Sequence, residues 1–146
     1  MPIRPIKQCC IVWLILACAG CATTPIPFLR EPIATLKSWT KSQSERTLDN
    51  GIKSYEEGDY KTAAKQLQTS LDLGLTSEQD QSDAHKYLAF IYCTSSRKNL
   101  CRGEFRKAFD SNPEFDLKPT EAGHPMWGPV FRSVKAEMTK QAKRRT

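Results

Sequence analysis

Small residues recur at the same three places in two stretches of this chain, and that recurrence leaves it few folds. Counted over residues 44–77, Gly51 takes the eighth position, Ala63 the twentieth and Ser70 the twenty-seventh. Counted over residues 82–115, Ala89, Cys101 and Ala108 take the same three. Larger residues stand beside them: Leu67 and Phe105 at the twenty-fourth position, Leu88 at the seventh, Tyr92 at the eleventh, Pro113 at the thirty-second. The apolar spacing is that of amphipathic helices in "SERTLDNGIKSYEEG", "DYKTAAKQLQTSLDLG", "SDAHKYLAFIYCT" and "KNLCRGEFRKAFDSN". Small side chains at those places let two antiparallel helices approach, and the larger ones fill the space beside them. No alternating strand pattern of any length interrupts this, so the expected fold is all-α.

The register resembles the tetratricopeptide repeat, a helical hairpin of thirty-four residues. Gly58-Asp59-Tyr60 falls at the turn of the first unit, Gly74 ends its second helix as a C-terminal cap would, and Pro113 ends the fourth. The polar stretch "LTSEQDQ" reads as a loop, with residues 78–81 extra between the units. Two units seldom bury their apolar faces alone. A fifth helix, beginning near Pro125 or at Gly128 because Pro129 fits only a first turn, is therefore expected to cap the second unit. Met126, Trp127, Val130, Phe131 and Val134 would pack, in a helix running to about Gln141. The expectation is a short α-solenoid of two hairpins, 44–77 and 82–115, followed by a capping helix and basic tail over 116–146.

The chain opens "MPIRPIKQCCIVWLILACAGCATTP". Arg4 and Lys7 precede a short apolar run from Cys9 to Cys18, then Ala19, Gly20 and Cys21, which is signal-peptide architecture and too short to span a bilayer. Ala19-Gly20-Cys21 resembles a bacterial lipobox, in which the cysteine is acylated and becomes the new N-terminus; a frame ending at Cys18 and an ordinary secretory signal are the alternatives. On the lipobox reading residues 1–20 are removed, Cys21 carries acyl chains that anchor the protein to a membrane, and residues 21–43, with Pro25, Pro27 and Pro32, form a tether. By resemblance to lipoproteins generally, Ala22 after the anchor implies the outer membrane, with the protein facing the periplasm. Leu36 and Trp39 on the tether are candidates to dock onto the folded part.

This placement decides how the six cysteines are read. Removing Cys9, Cys10 and Cys18 with the signal, and Cys21 by acylation, leaves Cys93 and Cys101. In the repeat these are the twelfth and twentieth positions, which meet across an antiparallel hairpin. An oxidising compartment favours a disulfide between them, the alternative being two buried thiols. Four ligands for zinc are not in prospect, since the only histidines are His85 and His124, without ligand-like spacing. No cofactor is expected.

The formal charge of +6 falls to +4 without Arg4 and Lys7, and much of it lies in "KAEMTKQAKRRT". So mild a balance does not point to nucleic acid. Lys140 to Arg145 reads as a solvated helix end complementing the dipole, with anionic lipid, cell-wall carboxylates or an acidic partner as other uses. No serine or cysteine nucleophile stands with a base nearby, so neither an enzyme nor a small-molecule substrate is expected.

With "AHKYLAFIYC", "CRGEFRKAF", "NPEFDLKPTEAGHPMWGPVFRSVK" and the lipobox-like start in view, the chain resembles the tetratricopeptide lipoproteins associated with the bacterial type VI secretion system. The resemblance implies a non-enzymatic adaptor or accessory in the cell envelope, with secretion-system subunits as protein partners. A structural or ligand-binding role in other envelope assembly, of a pilus or the cell wall, is the competing expectation.

Repeat positions that line the concave face point to Leu48, Ile52, Tyr55, Glu56, Lys86 and Phe90 as a partner groove. The alternative is a shallow groove filled by the chain's own tether or C-terminal helix. Trp127, and Phe131 after it, read either as the core of the cap or as a partner anchor.

Overall fold

The computed structural model describes residues 41–145. The expected signal, Cys21, Leu36, Trp39 and almost all of the tether lie outside the described residues. Among the described residues six helices follow in order: α1 Gln43–Glu56, α2 Tyr60–Asp72, α3 Glu78–Thr94, α4 Lys98–Ser111, α5 Pro119–Ala122 and α6 Gly128–Arg145. There is no strand among the described residues. The fold is all-α, a short solenoid in which α1 packs on α2, α2 on α3, α3 on α4, and α4 on α6.

The small residues do what their register requires. A Cβ on Gly51 would stand 3.0 Å from Leu67 Cγ and Cδ2 and 3.1 Å from the Leu67 backbone nitrogen, so α1 meets α2 only because that side chain is missing. Ala63, Ala89, Cys101 and Ala108 are wholly buried. Ser70, equally buried, donates its hydroxyl to the Leu67 carbonyl at 2.7 Å and so brings no unsatisfied polar group into the contact. α1 opens with a reciprocal cap: Ser42 Oγ accepts the Glu45 N–H at 3.2 Å, and the Glu45 carboxylate accepts the Ser42 N–H at 2.8 Å.

The two hairpins turn with the same backbone. In the first, Gly58 donates to Tyr55 at 3.0 Å and Asp59 to Ser54 at 2.9 Å; in the second, Ser96 donates to Cys93 at 3.2 Å and Arg97 to Tyr92 at 2.8 Å. These are the paired bonds of a Schellman end, which need a left-handed residue. Gly58 supplies it at φ +83°, and Ser96, carrying a side chain, is held at φ +62°. Asp59 then caps α2 by accepting the Thr62 N–H at 3.0 Å, whereas Arg97 gives α4 no side-chain cap.

Four expectations need correction. α3 begins at Glu78, so residues 78–81 are its opening turn rather than loop; Ser77 Oγ accepts the Asp80 N–H at 3.3 Å and starts the helix there. Pro119–Ala122 is a short helix that the spacing does not reveal. α6 starts at Gly128, the later of the two expected starts, but runs past Gln141 to Arg145. Met126 is 45 % exposed and not packed; its neighbour Trp127 turns inward instead, and Phe115 and Leu117 from the preceding non-helical segment fill that core.

Candidate functional site

The inner face is where the groove residues were expected, and the structure divides them. Leu48 and Phe90 are buried, at 4 % and 2 % exposure, and are not groove residues. Leu48 shares a core with Ala63, Leu67, Ala84 and Leu88. Phe90 is covered by the chain itself: the Trp127 indole stacks on it with ring centroids 4.2 Å apart. Trp127 is fixed by its Nε1–H, which donates to the Glu121 carbonyl at 2.9 Å, and His124 stacks on the indole. Phe131 continues this core, edge-on to Phe105 at 5.3 Å and stacked on Phe109 at 5.7 Å. Trp127 and Phe131 are therefore core residues of the cap in this structure.

What stays open is tyrosine. Tyr55 is half-buried, with Tyr60 at 5.4 Å and Tyr87 at 5.0 Å between ring centroids, and Tyr60 is 46 % exposed. Ile52 is half-buried and Glu56 exposed beside them. Tyr60 and Tyr87 were not among the expected groove residues. The signal available was their sequence neighbourhood: Tyr60 lies at the turn that brings α2 back beside Tyr55, and Tyr87 follows Lys86 directly.

Lys86 is buried yet keeps its charge. Its Nζ stands 3.2 Å from Asp83 Oδ1, 3.3 Å from Glu121 Oε1 and 4.6 Å from the Tyr87 ring centre. Burial works against the ammonium, but Asp83, Tyr87 and Glu121 together outweigh it and raise its pKa above the ordinary lysine value. Burial, reinforced by Tyr60, Tyr87 and Glu121, pushes the Tyr55 hydroxyl up to about 12. Burial also raises Tyr87; Lys86 opposes, and the carboxylates of Glu121, Glu56 and Asp83 add to the rise.

Further along α3, Cys93 and Cys101 are joined by a disulfide whose Cα atoms lie 5.2 Å apart, tying α3 to α4 just behind the Ser96 turn. Glu104 is buried between the same helices, taking His85 Nδ1 at 2.7 Å and Lys107 Nζ at 2.8 Å. Outside the inner face, a cleft of about 550 Å³ lies between the end of α4 and the last turns of α6, lined by Phe109, Phe115, Lys135, Met138 and Arg145. Lys140, Lys143, Arg144 and Arg145 sit on the final turns of α6, whose carbonyl end favours positive charge. Among the described residues no three His, Cys, Asp or Glu side chains converge as metal ligands would. No helix there is long and apolar enough to cross a membrane.

Compared with family models, with curated proteins and with solved structures, the sequence matches none of them.

Proposed function

We propose that this protein is a lipoprotein anchored at the outer membrane, facing the periplasm, that acts without catalysis as a protein–protein adaptor or accessory of the type VI secretion machinery. The observation that carries the adaptor role is the inner face: three tyrosines, partly open to solvent, held on helices whose packing is fixed by Gly51, the disulfide and Trp127. Rigid aromatic side chains on a concave helical surface suit a protein segment. The machine is proposed from the resemblance of "EAGHPMWGPVF" and the lipobox-like start, because this fold serves many assemblies.

Two measurements test the reading. Labelling with a fatty-acid analogue should mark the wild type and not Cys21→Ser. The lipidated protein should co-purify with envelope subunits of the secretion machine. Co-purification with peptidoglycan instead, lost on removing the charges of Lys140, Arg144 and Arg145, would move the protein to cell-wall assembly.

A further inference from the structure

We infer that the tyrosine cluster on the inner face receives a lysine- or arginine-bearing segment of a partner protein, with the cation seated against the rings of Tyr55 and Tyr60. This rests on the adaptor reading. The first ground is charge. The chain as a whole is +6, yet the groups around Tyr87 are the carboxylates of Glu56, Asp83 and Glu121 against the single ammonium of Lys86. At the end of α1, Glu56, Glu57 and Asp59 stand against Lys53, paired with Glu57 at 3.9 Å, and Lys61 beside Asp59, which leaves one negative charge in excess beside the α1 carbonyls. Such a field attracts a basic segment and repels an acidic one.

The second ground is the rings. The buried Lys86 Nζ already lies 4.6 Å from the Tyr87 ring centre, so one cation–π contact of this kind is made within the cluster. Tyr55 and Tyr60, tilted at 53° to each other, offer further ring faces. The hydroxyls of Tyr55, Tyr60 and Tyr87 make no hydrogen bond among the described residues, which leaves them able to accept from a guanidinium or ammonium.

The test is selection of a displayed library of random dodecapeptides on the full-length wild-type chain. Enrichment of sequences with Arg or Lys beside an apolar residue is expected. Synthetic peptides of the selected sequence should bind Tyr60→Ser and Glu56→Gln at least about fivefold more weakly; both residues are exposed, so folding is spared, and circular dichroism checks it. Salt should weaken the wild-type complex. Enrichment of acidic sequences, no enrichment, or equal binding by both variants would overturn the inference. So would a selected motif matching residues 22–40, which would make the chain's own tether the occupant, or a dimer lost in Tyr60→Ser, which would make it a second copy. If the variants lose the peptides but keep the envelope subunits, this inference fails and the adaptor role stands. If peptides bind while no envelope subunit co-purifies, the adaptor role fails instead.

Discussion

Ser96 occupies in the second hairpin the backbone place that Gly58 occupies in the first, at φ +62° against +83°. A side chain in the left-handed region costs roughly 1–2 kcal/mol, and the missing cap at Arg97 about 1 kcal/mol more. The disulfide directly behind this turn closes a nine-residue loop, worth about 2.5 kcal/mol on the chain-entropy account. It therefore offsets a weak turn. Cys93→Ala/Cys101→Ala should lower the melting temperature by about 10 °C or more. Adding Ser96→Gly and Arg97→Asp to that background should restore much of the loss. Thermal unfolding of the two variants side by side decides this, and no recovery would sink the argument.

Two helical glycines should respond to alanine in opposite directions. Gly103 has open space where a Cβ would go, so Gly103→Ala should stabilise by up to about 1 kcal/mol through helix propensity. Gly51→Ala gains the same propensity but drives a methyl into Leu67 at 3.0 Å, where overpacking costs about 1–3 kcal/mol. Urea denaturation of each should show the midpoint rising for the first and falling for the second.

Trp127 is one of the links between cap and second hairpin, beside Phe131. Trp127→Ala should cost about 3–5 kcal/mol by emptying the space over Phe90. Trp127→Phe keeps a ring there but leaves the Glu121 carbonyl without its donor, a loss nearer 1 kcal/mol from that bond. Equal stability of the alanine variant and wild type in denaturant would remove Trp127 from the core.

Stability should depend on pH at both extremes, with opposite signs. Burial works against the Glu104 carboxylate, but the hydrogen bonds from His85 and Lys107 outweigh it, so its pKa is lowered on folding. A lowered carboxyl stabilises fully above its unfolded value near ~4.3, and that stability is lost as pH falls through the folded value. The stability gap between wild type and Glu104→Gln should therefore close as the solution is acidified. Tyr55, raised to about 12, is the reverse case. Its contribution is complete below the unfolded value near ~10 and is lost between there and about 12. Tyr55→Phe should remove part of the alkaline loss, measured by unfolding at pH 9 and above.

The helical pairs and their contacts were readable because each rests on local chemistry: a glycine at the eighth position, alanines at the twentieth and twenty-seventh, glycines after two helices. The first turn of α3 was misread because "EQDQ" has no apolar stripe, although Ser77 followed by Asp80 carries the signature of a helix start. The cover over Phe90 was only half readable. Repeat position puts Phe90 on the inner face, but only the path of residues 112–127 shows Trp127 lying on it. Phe115 and Leu117 carry no sequence signal for the same reason, since buried residues outside helices follow no period.

The placing of α1 beside α3, with Trp127 closing over Phe90, sets a size for anything that crosses the inner face. Two helices of about 10 Å each make a span of roughly 20 Å, which an extended segment crosses in about six residues. So short a footprint selects a brief motif and leaves little area for tight grip. Were the protein anchored at a membrane, as proposed, many weak holds acting together would substitute for one strong one.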